Sequence, residues 1–282
     1  MKTNAKMIAE MAALLQEAMD NGDKGMKALA AAIAVPIKTE VDKMSIAPLL
    51  FTEHLRPVGE SATYQIRSKT KAYWIDSNGD AIESEIKGTE VTFPDNIVAS
   101  TPMVKKSTLK HGNIGTLVDI QKEASTEIRT TIDTRAVGLI SDAVEVGMTV
   151  TVTGGALTSE GLNEAMSRIE DLGLSVKYLV MRGSRLNDMK NFDLDPVTAR
   201  ELNEKGIFKS YNGAQIINFP GMDTDEVLII PNFEIGKMGV REDLTADTLD
   251  EKKRFMIGWL IWKELAMGIV NADKLAKVVI TA

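Results

Sequence analysis

Glu60 to Phe93 read ESATYQIRSKTKAYWIDSNGDAIESEIKGTEVTF, and the alternation in this stretch weighs most in deciding the fold. Ala62, Tyr64 and Ile66 alternate with Thr63, Gln65 and Arg67, and Ile82, Ser84 and Ile86 alternate with Glu83, Glu85 and Lys87. A period of two is the signature of strands. Asn78-Gly79 lies between the two runs and supplies the positive backbone angles of a tight hairpin turn. Both strands are polar on one side and thinly apolar on the other, so the hairpin reads as a projecting two-stranded loop rather than the middle of a sheet. Tyr73, Trp74 and Ile75 precede the turn, where an isolated hairpin leaves them in water. Asp76-Ser77-Asn78-Gly79-Asp80 also has the look of a calcium loop, but the twelfth position is Lys87 instead of Glu and the flanks are strands, so the turn reading stands.

Upstream, Met7, Met11, Leu14, Leu15 and Ala18 recur at helical spacing and predict an amphipathic helix from Asn4 to Met19. Asn21-Gly22-Asp23 ends it. A second helix is expected from Lys24 to Ala34, with Met26, Leu29, Ala30 and Ile33 on one side and Pro36 as its stop. Two short helices so early in the chain fit an arm that docks on something else, and equally a pair packed on their own core. Leu14 and Leu15 are the residues with which such an arm would hold a neighbour.

Downstream, Asn113 to Val144 carry Leu117, Ile120, Ala124, Ile128, Ile132, Leu139 and Ile140 near one stripe, a helix of roughly 45 Å. Gly154-Gly155 make a turn, and Thr158 caps a helix that turns Leu162, Ala165, Met166, Ile169 and Leu172 inward. Val176 to Met181 read as a buried strand, and Asp195 with Pro196 as the start of a short helix. Further strands are expected at Gln215–Phe219, Val227–Ile230 and Ile235–Arg241, followed by an apolar run through Phe255, Ile257, Trp259, Ile261 and Trp262. Helices and strands mix without a strand-helix-strand period, so the class is α+β.

The 282 residues, 44% of them hydrophobic, can bury a sizeable core. No stretch approaches the roughly 20 apolar residues of a membrane span, and Met1 to Met11 lack the pattern of an export signal, so neither membrane insertion nor export is expected. With no cysteine, disulfides and thiolate chemistry are excluded. A net charge of -7 gives no whole-surface attraction to phosphate. The basic clusters Lys105, Lys106, Lys110 and Lys252, Lys253, Arg254 lack interleaved aromatics and read as solvated faces or intersubunit ion pairs. His54 and His111, the only histidines, are too few for a histidine metal cluster and read as surface or capping residues. Thr153-Gly154-Gly155 has neither a P-loop ending nor a dinucleotide fingerprint. No catalytic, cofactor or metal residue is assigned, and the chain is read as no enzyme.

The order helical arm, projecting hairpin, long helix, compact α/β region and apolar terminal strands resembles the major capsid proteins of tailed bacteriophages with the Hong Kong 97 fold. Lys38 to Ile66, containing VDKMSIAPLLFTEHLRPVGESATYQI, looks like the arm leading into the extended loop of such subunits. Leu157 to Arg182, with LTSEGLNEAMSRIEDLG and then VKYLVMR, is similar to the helix and strand that open their axial domain. YNGAQIINFPGM at Tyr211 to Met222 and VLIIPNFEIGKMGV at Val227 to Val240 resemble the return to the peripheral domain, and Phe233 to Ile280 the closing strands.

The resemblance implies an N-terminal helical arm at 1–59, an extended loop at 60–95, a peripheral domain at 96–149 and 235–282 built on a long spine helix, and an axial domain at 150–234. It implies pentamers and hexamers closing into an icosahedral head around double-stranded DNA held without sequence-specific binding, and a location in the virion, with assembly in the host cytoplasm. The partners implied are other copies of the chain, a separate scaffolding protein and a portal, with no membrane and no cofactor. Intersubunit contacts are expected at Leu14, Leu15, Tyr73, Trp74 and Ile75; Lys69, Lys71 or Lys87 are open to a covalent link with a neighbour's asparagine. Two other readings stay open: an encapsulin-type shell around a cargo enzyme, and a soluble enzyme with a cryptic carboxylate site, which needs a deep pocket and a carboxylate of perturbed pKa.

Overall fold

In the computed structural model residues 22–57, 59–67, 88–105, 107, 114–192, 210–251 and 254–282 are described. In chain order they form α1 (Gly22–Met44), a four-residue α2 (Ala47–Leu50), β1 (Thr52–Leu55), β2 (Ala62–Arg67), β3 (Gly88–Phe93), β4 (Asp95–Ser100), β5 (Met103–Lys105), α3 (Ile114–Ala143), β6 (Thr149–Thr153), α4 (Ser159–Glu170), β7 (Val176–Met181), α5 (Gly183–Asp188), β8 (Ser210–Tyr211), β9 (Ala214–Asn218), β10 (Glu226–Pro231), β11 (Gly236–Glu251), β12 (Met256–Ile269) and β13 (Ala276–Thr281). The class is α+β, as expected from the unrepeated order of elements.

Pro36 does not stop the second helix, contrary to the sequence reading: α1 runs through it to Met44. A proline inside a helix costs about 3 kcal/mol. Ile37 and Val41, beyond it, continue the buried stripe of Leu29, Ala30, Ile33 and Ala34. Burial of two such side chains contributes about 1.5 to 3 kcal/mol each, enough to offset the proline. The helix therefore packs on the subunit's own core, the second of the two alternatives for this segment.

The long helix is present as α3, 30 residues. Ile120, Ala124, Ile128, Ile132, Ala136, Val137 and Ile140 are buried along it. Gln121 Nε2 donates to the Ile33 carbonyl at 3.5 Å, Ser125 Oγ to Glu40 Oε2 at 2.9 Å, and Ser45 Oγ to Asp133 Oδ1 at 2.6 Å. Contacts advance together along both helices, so α1 lies beside α3 and runs in the same direction. Asp133 Oδ1 also accepts from the Ile46 and Ala47 backbone N–H groups at 3.0 and 3.1 Å, capping α2 from another helix. Burial raises the pKa of this carboxyl above its ordinary value, with the three donors acting against that shift.

Two sheets divide the rest. A five-stranded sheet has the order β1-β11-β12-β4, with β5 also on β12; a six-stranded sheet has the order β6-β13-β10-β7-β9-β8. The six-stranded sheet is buried on both faces. Tyr178, Val180, Leu228 and Ile230 join the core shared with α1 and α3, while Leu179, Met181, Val227 and Ile229 join a second core with Leu162, Ala165, Met166 and Ile169 of α4. That is why Val176–Met181 and Val227–Ile230 read as continuous apolar runs rather than as alternating ones. Thr158 caps α4 by accepting from the Gly161 N–H, as its position predicts. Leu172, expected inward, is 48% exposed. The helix has ended at Glu170, and the chain turns at Gly173 with φ 74, so Leu172 falls out of phase. At the C-terminal end of α3, Ser141 Oγ donates to Glu226 Oε2 at 2.6 Å and Lys277 Nζ donates to Glu226 Oε1 at 3.0 Å, tying the helix to β10 and β13.

Candidate functional site

The residues expected to touch neighbours, Leu14, Leu15, Tyr73, Trp74 and Ile75, lie outside the described residues, as do the Asn78-Gly79 turn, the expected Ile82–Ile86 strand, the expected Asp195 helix and His111. The described part of the hairpin is its root. β2 and β3 pair antiparallel from Ala62 opposite Phe93 to Arg67 opposite Gly88. The described return strand is Gly88–Phe93, which begins six positions on from Ile82.

Three physical devices hold this two-stranded ribbon to the five-stranded sheet. The first is charge. Asp95, just past β3, accepts from Arg56 Nη2 at one oxygen and from Arg241 Nη2 at the other, the latter at 2.6 Å. Arg241 Nη1 donates to Glu264 Oε1 at 2.7 Å. Arg56 Nη1 and Arg241 Nη2 both donate to the Glu60 carbonyl, at 3.0 and 3.1 Å. Two guanidinium forks therefore bind the start of the ribbon (Glu60), its end (Asp95) and the sheet (Glu264) into one unit. The second device is aromatic. His54, Tyr64 and Phe93 stack in series with centroids 6.0 and 5.4 Å apart, and the Lys237 ammonium sits 5.3 Å from the Tyr64 ring. Burial raises the pKa of the Tyr64 hydroxyl above the ordinary tyrosine value, with Arg56 working the other way. The third is the absence of side chains. A Cβ on Gly268 would stand 2.2 Å from the Phe93 ring, and one on Gly239 2.5 Å from both Arg56 Nε and Tyr64 Oη. Only glycine lets the ribbon root lie against the sheet at these points.

The five-stranded sheet carries α1 and α3 on one face only. Met238, Val240, Trp259, Ile261, Leu265 and Met267 point into that core. The opposite phase of the same strands carries Ile97, Ala99, Leu249, Leu260 and Trp262, with Ala99 directly across from Trp262 and Leu249 across from Gly258. Ile97 is 66% exposed and Leu249 36%. The indole N–H of Trp262 donates to Glu242 Oε2 at 3.4 Å.

A cleft of about 550 Å³ lies between Pro48–Glu53 and the β7 and β10 ends, lined by Tyr178, Phe233, Lys177 and Glu234 among others. The buried carboxyl with a raised pKa, Asp133, is not part of that lining; its lone pairs serve the α2 cap. His54 is exposed on β1 and stacks on Tyr64. Among the described residues no three His, Asp or Glu side chains gather as a metal site, and no helix is long and apolar enough to cross a membrane.

No family model and no curated protein matches the sequence. Solved structures do match. A chain from Gordonia phage Cozz superposes with a TM-score of 0.67 at 14% identity, covering 84% of this chain and 87% of that one. A chain from the capsid structure of the cyanophage P-SCSP1u gives 0.59 at 12% identity, covering 83% and 86%. The chain has the Hong Kong 97 capsid fold. The same capsid fold is met in the holo-SrpI encapsulin complex of Synechococcus elongatus, with a TM-score of 0.54, 14% identity and 84% and 88% coverage.

Within that capsid fold, sequence reasoning missed the Arg56–Asp95–Arg241–Glu264 network, because its members lie up to 208 positions apart and no local spacing joins them. Only the isolated glycines of Ile235–Ile269 offered a signal, since an isolated Gly in a strand marks a close approach.

Proposed function

We propose that the chain is the major capsid protein of a tailed bacteriophage, assembling as pentamers and hexamers into an icosahedral head that encloses double-stranded DNA without reading its sequence. The observation that carries this reading is the capsid fold spread over 84% of the chain, with phage structures as its neighbours. The ribbon root adds to it: six residue pairs of a thinly apolar hairpin are clamped by two arginines to the body. A marginal hairpin needs a neighbour to hold it, and a repeating shell provides one for every copy. The division into arm, extended loop, peripheral and axial parts belongs to the same proposal, with β13 counted with the axial sheet it pairs in. A scaffolding protein and a portal are the further partners, and the assembled protein resides in the virion after assembly in the host cytoplasm.

Replacing Thr70 to Glu85 with a short Gly-Ser turn tests the reading. Far-ultraviolet circular dichroism and a cooperative melt should match the parent, and stable particles should be lost, because Tyr73, Trp74 and Ile75 each contribute on the order of 1.5 to 3 kcal/mol to a contact repeated over the shell. Normal particles from the replacement would contradict the extended-loop role. The encapsulin alternative draws on the SrpI match; a protein cargo instead of scaffold in purified particles would favour it.

A further inference from the structure

The register of β11 on β12 slips twice within five residues. Val240 stands opposite Leu265, Glu242 opposite Glu264 and Thr245 opposite Trp262. Four residues, Arg241 to Leu244, therefore face only two, Lys263 and Glu264. Regular pleating sends successive side chains to opposite faces, and each bulge re-aims one of them. Arg241 and Glu242 both reach partners on the outer face: Arg241 binds Asp95 and Glu264, and Glu242 accepts from the Trp262 indole. Asp243 and Leu244 both face the helices: Leu244 is in the core and Asp243 pairs with Lys38 of α1. We propose that this double bulge is a relay that couples the position of the ribbon root to the half of α1 beyond Pro36.

Two ion networks lie back to back across the sheet at this point. On the outer face Arg241 and Glu264 join Asp95 and Arg56 of the ribbon clamp. On the inner face the Lys263 ammonium, on a side chain only 6% exposed, lies 3.7 Å from Asp243 and 3.8 Å from Asp42 of α1. Each network contains a cross-strand pair, Arg241 with Glu264 and Asp243 with Lys263. The paired residues are two apart on one strand and adjacent on the other, so both networks share one stretch of backbone. A bulge disrupts the ladder, which leaves side chains to hold that stretch in place. Local bonds stiffen it: the Leu244 N–H donates to Asp243 Oδ1 at 2.8 Å, and Thr245 Oγ1 to the Asp243 carbonyl at 2.9 Å. A slide of β11 on β12 that loosens one network therefore displaces the other. The inner network also grips α1 where the helix is weakest. Pro36 has no N–H for the Ala32 carbonyl, and Lys38 follows two residues later. In a shell, the relay would carry the seating of the ribbon on a neighbour to α1. That use rests on the capsid reading, whereas the coupling belongs to the single subunit.

Hydrogen exchange read by mass spectrometry on the purified chain tests the relay, with substitutions that lie off the bulge. Lys38→Met, on α1, should speed amide exchange in β2 and β3 by roughly fivefold or more, the lower end for coupled sites. Asp95→Asn, at the ribbon root, should speed it in residues 37–44 of α1, because coupling is reciprocal. β7 and β10 of the six-stranded sheet should keep their parent rates in both variants. Lys38→Arg retains the charge and should bring the ribbon root back towards the parent. Lys38→Gln removes the charge with a smaller loss of packing and should move the same segments as Lys38→Met. In the double variant the two effects should combine to less than their product. Acceleration confined to the substituted network, equal acceleration in β7 and β10, or effects that multiply in the double variant would each overturn the relay. Independent networks in a chain that forms shells would leave the capsid reading standing, and coupled networks in a chain that never forms particles would do the reverse.

Discussion

The six-stranded and five-stranded sheets use the same kinds of residue and stop at different points. The six-stranded sheet is closed on both sides, by α4 on one face and by the core shared with α3 on the other, and its central strands are apolar in both phases. The five-stranded sheet is closed by helices on one side; on the other the ribbon root covers Ala266 and Gly268, and beyond it Ile97 and Leu249 stay at the surface. The difference separates two uses of burial. In the first sheet it holds the subunit together; in the second, the remaining surface is available to hold subunits to one another.

Trp259 and Trp262, three positions apart on β12, put this contrast on a single strand. Trp259 is fully buried. Trp259→Ala should cost the isolated subunit about 3 to 5 kcal/mol. Denaturant titration measures it, and a loss below about 1 kcal/mol would break the assignment of inner and outer faces. The ribbon root should give a smaller effect. Gly268→Ala drives a methyl into the Phe93 ring and should cost about 1 to 3 kcal/mol. Phe93→Leu in the same chain should restore part of the loss, which a double-mutant cycle reads.

Asp133 sharpens the comparison through pH. Its folded pKa is raised chiefly by burial, so the protonated form is the one the fold favours. Stability from this group is present in full below the ordinary carboxylate value and is lost as pH rises through the raised folded value. Asp133→Asn keeps an oxygen for Ser45, Ile46 and Ala47 and removes the titration. Its melting temperature relative to the parent should therefore climb as pH rises above the ordinary carboxylate range, and a flat difference would contradict the stated cause. The smallest effect is expected on the outer face of the five-stranded sheet. Trp262→Ala should change subunit stability by roughly 0.5 kcal/mol or less, in contrast to Trp259 in the same titration.

Local pattern carried much of this fold. The stripe of Ile120 to Ile140 spelled out α3, Thr158 its cap on α4, and the apolar runs at Val176 and Val227 the central strands, because helix and strand periods leave their mark within a few residues. Where competing energies are summed over distant partners, the sequence was silent. Pro36 looked like a stop until Ile37 and Val41 found a core to fill. β1 pairs in parallel with β11, so its partner lies some 185 residues away and its four side chains are all exposed, leaving no alternation to read. Of the functional surface, the outgoing strand was legible from the alternation of Ala62, Tyr64 and Ile66, but its clamp was not. Arg56, Asp95, Arg241 and Glu264 look like ordinary surface charges until the chain brings them together.

The most direct measurement of the central claim is electron microscopy of the purified protein, expressed alone and with the proposed scaffolding protein. The account predicts closed shells whose reconstruction shows pentamers and hexamers of this subunit, with the ribbon of each copy reaching onto a neighbour. A homogeneous ~31 kDa species under every assembly condition, with no particles in the images, would contradict it.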